Sequence, residues 1–267
     1  MDIWHKIGII TLLSVMLAGC QAAPAPSGPG GGEPIGAEAP QQPNETPQQP
    51  NETPAPPAAA PQDERSAGEM SKQLIEAAER GETGVVKTLI LQGAAIDARD
   101  DRGRTAVMAA THANKPETVK ALIGAGANIH IQDGRQDNPF LYAGAEGLLD
   151  ILKLTIEAGA DTKRTNRYGG TALIPAAERG HVDIVKELLT TTDVDVNHIN
   201  RLGWTALMEA VVLGNGGVKH QQIVQLLIDH KADVNIPDKD GVTALEHAVK
   251  RKYKDIERIL IEAGAKK

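Results

Sequence analysis

The sequence predicts an all-α solenoid built from six copies of a two-helix unit. Gly-Ala pairs recur at steps of 33 residues, beginning at Gly93, Gly126 and Gly159, and a fixed period of this length is typical of repeat architectures. Within a unit, apolar residues are spaced three and four apart, which gives a helix one apolar face. A single unit cannot bury such a face, so we expect the units to stack and share a continuous core.

The fourth unit shows how the two helices are predicted. A run of small residues ends at Gly180, and glycine readily adopts a positive φ at a helix C-terminus. Apolar residues then follow at helical spacing: Val182, Ile184, Val185, Leu188 and Leu189. We therefore predict an inner helix of small residues, a turn, and an outer helix. In the outer helices, Leu188 and Leu226 should fill the layers between units.

Two short motifs recur in phase with this period. Most units open with Gly-x-Thr-Ala-Leu, as at 169–173, 203–207 and 241–245, and end with a version of Gly-Ala-Asp-Val-Asn, as at 126–130 and 232–235. With the 33-residue step, these motifs resemble ankyrin repeats over residues 71–267. The resemblance implies hairpin fingers between units and a concave surface, formed by the fingers and the inner helices, that is the usual binding surface. We call this surface the groove.

The spacing of the motifs departs from the period at two places. Thr205 and Thr243 lie 38 residues apart, five more than the period, and we assign the excess to Asn215–Lys219, between the helices of the fifth unit. Thr171 and Thr205 lie 34 apart, with the extra residue placed in 190–193.

Further irregularities fall in the third and fourth units and at the ends. Gln136 and Asn138 replace the usual Gly and Thr of the third unit, and Pro175 lies inside the fourth inner helix. Since proline lacks an N–H, it should kink or delay that helix. The first unit lacks a finger and the last ends in Lys266 and Lys267, so both resemble polar caps.

The first nineteen residues have the pattern of a signal peptide. Lys6 precedes a mostly apolar run of about eleven residues over 7–17, which is shorter than the ~20 that span a bilayer. Leu17-Ala18-Gly19-Cys20 resembles the lipobox of bacterial lipoproteins, which implies cleavage before Cys20 and its lipidation. Cys20 is the only cysteine, so no internal disulfide is expected. The prediction is a protein of the bacterial cell envelope, lipid-anchored on the extracytoplasmic side of a membrane.

Residues 20–66 are predicted to be a disordered tether. The segment up to about Pro61 consists mostly of Pro, Gly, Ala, Gln, Glu and Asn, and it repeats one heptad over 41–47 and 48–54. Such a composition buries too little apolar surface to offset the entropy of ordering. The repeat domain is therefore expected over residues 67–267.

Composition and motifs argue against nucleic-acid binding and against catalysis. Residues 1–62 hold one of the 28 cations and five of the 35 acids, which leaves 27 and 30, a net charge near −3 for the remainder. A nucleic-acid-binding domain usually carries a strongly basic face. The sequence contains no nucleophile elbow, zinc-protease motif or phosphate-binding loop. We expect no enzyme activity, cofactor or metal. A hydrolase built around Asn215 and His220 stays open as an alternative.

Two features that suggest chemistry are better interpreted as structural. His181 and His220 occupy the same place in their units, three residues before Ile184 and Ile223, and we expect both to hydrogen-bond within the repeat turn. The stretch 238–241 is similar to part of a calcium loop but lacks the other carboxylates that such a loop needs, so a turn is expected there.

The candidate binding residues lie at finger tips and on inner helices. The tip positions carry arginines in four consecutive fingers, and Tyr168 and Trp204 beside them have the composition of binding hot spots. The inner-helix positions include acids, so the groove should be cationic at its tips and acidic at its floor. The predicted partner-binding residues are Arg102, Arg104, Arg135, Tyr142, Arg167, Tyr168, Arg201, Trp204 and Glu209.

These observations favour a membrane-tethered, monomeric module that binds a protein partner. The alternative is an envelope receptor that holds a small polar ligand or peptide between the arginine tips and the acidic floor. That alternative requires an enclosed polar pocket.

Overall fold

The computed structural model describes residues 62–266, which form twelve α-helices and no strand. The helices are numbered here in chain order: α1 Gln62–Arg80, α2 Thr83–Leu91, α3 Ala106–His112, α4 Pro116–Gly124, α5 Pro139–Glu146, α6 Leu149–Glu157, α7 Leu173–Glu178, α8 Val182–Thr191, α9 Ala206–Val212, α10 Val218–Asp229, α11 Ala244–Arg251 and α12 Lys254–Glu262.

The helices stack as six antiparallel pairs. The two helices of a pair contact each other, and each also contacts its counterpart in the neighbouring pair, so α3 packs on α1 and α5, and α4 on α2 and α6. The result is one row of inner helices and one row of outer helices with a shared core. The predicted all-α repeat solenoid is confirmed.

Most inner helices begin at a side-chain cap. The hydroxyls of Thr105 and Thr205 accept from the amide three residues ahead, as N-caps do. Asn138 caps α5 in the same way, so the missing threonine of the third unit is replaced functionally. Gln136 adopts a φ of +62°, the left-handed conformation that the other fingers assign to glycine.

Pro175 delays the fourth inner helix as predicted. Helix α7 has six residues and begins two residues after Thr171, whereas its counterparts begin one residue after theirs. The amide of Ile174 donates to the Thr171 carbonyl at 3.3 Å. The Thr171 hydroxyl, although buried, makes no hydrogen bond.

The core is aliphatic and continuous across all six pairs. Leu188 is fully buried in it, as predicted. Leu226 is only half-buried, and Leu227 takes the core position. Ile184 and Ile223 are equivalent positions of their outer helices. Leu188 lies four residues after Ile184, so its equivalent is Leu227, four residues after Ile223, and the prediction for Leu226 was wrong.

The five extra residues of the fifth unit divide between a loop and a helix. Helix α10 begins thirteen residues after Thr205 rather than eleven, and it has twelve residues where α6 has nine. Two of the extra residues therefore lengthen the turn, and three add a helical turn to α10. In the fourth unit, the extra residue lengthens α8 to ten residues.

The longer turn is held in place by its neighbours. His220 is buried and its Nε2 lies 2.9 Å from the Glu178 carbonyl, while its Nδ1 lies 3.0 Å from the Asn215 side chain. Tyr253 donates its hydroxyl proton to the Gly214 carbonyl at 3.1 Å. The expected structural role of His220 is thus present. His181 similarly interacts with the Ala145 backbone.

The N-terminal predictions lie mostly outside the described residues. This applies to the signal peptide, Cys20 and the tether as far as residue 61. Helix α1 begins at Gln62, so residues 62–66, which composition assigns to the tether, are helical. In the part of the chain that is described, no helix is long and apolar enough to cross a membrane.

Candidate interaction surface

Five fingers connect the six pairs, and each is shaped by one side chain. Its Oδ1 accepts the backbone amides two and four residues ahead, at 2.8–3.1 Å, which closes a tight turn. These residues are Asp100, Asp133, Asn166, Asn200 and Asp238. The finger over 238–241 is such a turn, as predicted.

Four of the predicted arginines lie exposed at successive finger tips: Arg102, Arg135, Arg167 and Arg201. The guanidinium of Arg167 lies 4.8 Å from the centre of the Tyr168 ring. Arg201 also braces its neighbour, since its Nη1 donates to the Arg167 carbonyl at 2.7 Å. The first three tips are therefore the cations best placed to meet a partner.

Arg104 does not lie at the groove surface, contrary to the prediction. It is 7% exposed, and its guanidinium pairs with the carboxylates of Glu79, at 2.9 Å, and Asp100, at 2.8 Å. Its hydrogen bonds to Glu79 hold the pKa of that carboxyl below its usual range. The finger turn directs this position inward. Arg104 therefore joins α1 to the first finger, and its guanidinium is already paired within the domain.

Both predicted aromatic anchors are half-buried rather than fully exposed. Trp204 packs against the core, and its amide donates to the Asn200 Oδ1 at 3.1 Å. Tyr168 lies under Arg167. Each ring is thus partly covered by the domain itself, and the remaining part is exposed.

Tyr142 forms part of a polar cluster on the inner helices. Its ring stacks on His112 with centroids 4.0 Å apart, and His112 Nε2 lies 3.5 Å from the Asp133 carboxylate. Asp137 lies in the same area. Burial and the neighbouring Asp133 raise the pKa of Asp137 to about 6.

Glu209 is the clearest departure from the predicted groove floor. It is 0% exposed, and its Oε1 accepts from the Asn200 side-chain amide at 2.7 Å. Its Oε2 is buried without a hydrogen-bond partner. Burial, reinforced by Glu178, raises the pKa of Glu209 to about 8. The prediction of an exposed carboxylate was wrong because this position of the inner helix turns under the finger.

Two other acids do lie on the groove floor. Glu146 is exposed and pairs with Arg179, which also donates to the Ala145 carbonyl. Glu178 is half-buried at the end of α7.

Sequence reasoning missed the polar pairs that connect a finger to its own inner helix. Asn200 bonds Glu209, and Asp238 bonds His247 at 2.8 Å. In both units the two residues are nine apart in the sequence. Two polar residues that recur at this spacing could therefore have indicated the pairs before the structure was known.

No group of three or more His, Cys, Asp or Glu residues within 62–266 is arranged to hold a metal ion. A hollow of about 660 Å³ lies between α1 and the first finger, with Arg104 and Glu79 in its wall.

Stacked helix pairs joined by uniform fingers, with charged and aromatic side chains on one face, define a repeat module for protein–protein interaction. The family profile "Ankyrin repeats (3 copies)" matches residues 74–166, 140–219 and 216–267. The chain belongs to the ankyrin-repeat family.

Its relatives include bacterial proteins of similar extent. The ankyrin repeat protein YahD of Escherichia coli K12 is 44% identical over 189 residues, which cover 71% of this chain and 94% of YahD. A crystal structure of an ankyrin repeat domain from Acinetobacter baumannii AYE is 53% identical, with a TM-score of 0.71 over 73% of this chain and 98% of that one. The ankyrin repeat domain of Bcl-3, described as a member of the IkappaB family, is 25% identical with a TM-score of 0.65 over 72% and 86% of the two chains.

Proposed function

We propose that this protein is a lipid-anchored, extracytoplasmic ankyrin-repeat protein that binds a protein partner in its groove and catalyses no reaction. The observation that carries the proposal is the row of exposed tip arginines beside two half-buried aromatic rings. Arginine and aromatic residues dominate the binding energy of protein interfaces.

The arginine tips favour a partner with an acidic patch. Arg102, Arg135 and Arg167 follow one another on consecutive fingers, so a complementary surface would meet several positive charges at once. Such rim charges mainly accelerate association and make it sensitive to salt. Tyr168 and Trp204 then supply apolar contact area that needs little further ordering.

The test compares two double variants that remove equal charge. Arg135→Ala with Arg167→Ala removes two groove cations, and Lys87→Ala with Lys120→Ala removes two exposed cations from the outer helices α2 and α4. Partners captured from envelope extract are identified by mass spectrometry and then titrated against each variant.

We expect the groove variant to bind more slowly and with less salt dependence, and the outer-helix variant to bind like the wild type. Equal effects of the two variants would argue against the groove. Failure of the wild type to bind any protein directly in the titration would argue against the function itself.

The anchor is proposed from the sequence at residues 1–20. A short apolar run, a lipobox and a single cysteine support it, and two or more acyl chains hold a protein firmly to a membrane. In Cys20→Ser, we expect neither lipidation nor cleavage by the lipoprotein pathway, so the acylated N-terminal peptide of the wild type should be absent from mass spectra of the variant. Wild-type protein without an acyl group at Cys20 would contradict the anchor.

A receptor for a small polar ligand is the second candidate, and the hollow beside α1 favours it. Three of its charged groups, Arg104, Glu79 and Asp100, already pair with one another, so a ligand that bound to these three would have to compete with their ion pairs. Calorimetric titration with capped acidic and basic dipeptides distinguishes this function, because a receptor saturates with one of them and a protein-binding module does not.

A further inference from the structure

Every finger carries one exposed cation at its tip, where the tip is the two residues that follow the turn-forming Asp or Asn. These cations are Arg102, Arg135, Arg167, Arg201 and Lys239. Among the ten tip residues, all within the described part of the chain, the only acids are Asp101 and Asp240, in the first and last fingers. The three central tips therefore form a row of positive charge that contains no acid.

The backbone fixes the distance between neighbouring tips. Each finger consists of two chain segments joined by a backbone hydrogen bond of 2.8–3.0 Å. Neighbouring fingers are joined in the same way, since the Gly134 amide donates to the Arg102 carbonyl at 2.9 Å. Between the third and fourth fingers, the Arg201 amide donates to the Tyr168 carbonyl at 3.0 Å. Segments bonded in this way lie about 4.8 Å apart, so one finger step is about 9.5 Å.

Two of the tip cations are held in place by the preceding finger. Arg201 Nη1 donates to the Arg167 carbonyl at 2.7 Å, and Lys239 Nζ donates to the Arg201 carbonyl at 2.5 Å. Each bond uses one N–H, whereas a guanidinium and an ammonium each have several. The remaining donors are thus positioned one finger step apart and can bind a partner.

Among regular backbone conformations, polyproline II matches this spacing. It has about three residues per turn and rises about 3.1 Å per residue, so every third side chain lies on one face, about 9.3 Å from the last. On one face of a β-strand, neighbouring side chains lie about 6.8 Å apart, which is too short for a finger step. An α-helix repeats a face about every 10.5 Å, but helices dock through an apolar face, and these tips are charged.

An aromatic ring within the row also favours polyproline II. Tyr168 lies between Arg167 and Arg201, is half-buried, and is covered on one side by the Arg167 guanidinium at 4.8 Å. Proline-rich segments dock on aromatic surfaces.

We infer that the finger tips bind an extended polyproline II segment of the partner that carries an acidic residue at every third position. The segment runs along the row, and each acid pairs with the cation of one finger. In the first two fingers the cation is the second tip residue instead of the first, a shift of about 3.8 Å that long side chains can absorb. The inference rests on the proposed function and specifies the acidic patch of the partner.

The test compares two capped peptides of the same composition in titrations of the full chain. One consists of four consecutive Glu-Pro-Ala triplets, so that an acid occupies every third position. The other consists of four Glu-Ala pairs followed by four prolines, so that the acids occupy every second position. Both carry a fluorescein label and are followed by fluorescence polarisation. We expect the first peptide to bind about tenfold more tightly, because linked contacts reinforce one another only when their spacing fits.

Two variants each remove one exposed cation. Arg167→Gln removes the central cation of the row, and Lys186→Gln, on the outer helix α8, is the charge-matched control. We expect Arg167→Gln to lower the affinity for the triplet peptide about twofold to fivefold, as the loss of one exposed ion pair does. Lys186→Gln should bind like the wild type, and both variants should melt like it.

Equal affinities for the two peptides, or equal effects of the two variants, would overturn the inferred spacing. Tighter binding of an alanine-rich helical peptide with glutamate at every seventh residue would also overturn it. If neither peptide binds while a natural partner still depends on Arg135 and Arg167, the polyproline II segment is wrong and the proposed function stands. If the wild type binds no protein directly, the proposed function itself is wrong.

Discussion

Replacing Glu209 with glutamine should change how the stability of the domain depends on pH. The pKa of Glu209 is raised from 4.5 to about 8 in the folded domain, chiefly by burial and secondly by Glu178. The folded state therefore holds a proton that the unfolded chain releases at lower pH.

The direction of the effect follows from proton linkage. Below pH 4.5 both states carry the proton, and Glu209 contributes no pH dependence. Between about pH 4.5 and pH 8 the unfolded state binds fewer protons than the folded state, so the free energy of unfolding falls as pH rises. Above about pH 8 both states are ionised and the loss is constant. Each pKa unit corresponds to about 1.4 kcal/mol, so the total loss is on the order of several kcal/mol.

The assay is urea unfolding of the wild type, Glu209→Gln and the control Glu157→Gln at intervals from about pH 5 to about pH 9. Glutamine keeps an acceptor for the Asn200 amide and cannot ionise. We expect Glu209→Gln to be the more stable protein at the alkaline end and to show a flatter pH profile, while the control follows the wild type. Parallel profiles for all three proteins would refute the reasoning that Glu209 is buried as a neutral acid.

Three further predictions concern packing and ion pairs. Leu188→Ala should lower the free energy of unfolding by about 2–5 kcal/mol, and Leu226→Ala by clearly less because that side chain is half-buried; equal losses in urea titrations would contradict the assigned core register. Arg104→Ala should cost about 1.5–3 kcal/mol because it removes the charged hydrogen bonds by which a buried guanidinium joins the partly exposed Glu79 and Asp100, whereas Arg102→Ala at an exposed tip should leave the melting temperature unchanged; the reverse order would place the wrong arginine in the core. Trp204→Ala should reduce both the melting temperature and partner affinity, since its ring contacts core and groove together; a variant that loses affinity alone would show that the ring contributes nothing to packing.

The repeat fold was predictable because its determinants are local and recur. The 33-residue period and the apolar spacing of the outer helices fix the pairs and their order. Even the delay caused by Pro175 follows from the missing N–H of one residue. Where the period changes, as in the fifth unit, the motif spacing located the insertion. It did not indicate how many of the extra residues lengthen the turn and how many lengthen α10.

The interaction surface was less predictable, because a residue's position in the repeat does not determine whether a long side chain is buried in the domain or exposed in the groove. Arg104 and Trp204 occupy the same finger position, yet Arg104 is buried by Glu79 and Asp100, which offer it partners on the inner side. Glu209 was expected at the surface on charge alone, since an unpaired buried carboxyl is costly. The exposed tips Arg102, Arg135 and Arg167 lie where the finger geometry implies.

Site-specific photo-crosslinking tests the central claim most directly, because the covalent adduct reports which face of the domain touches the partner. A benzophenone amino acid is placed at Tyr168 on the finger groove or at Lys186 on the outer helix α8 of the same unit, which is exposed. After irradiation of intact cells, the account predicts a discrete protein adduct from position 168 and none from position 186. An adduct that forms from position 186 alone would place the partner on the outer helices and contradict the account.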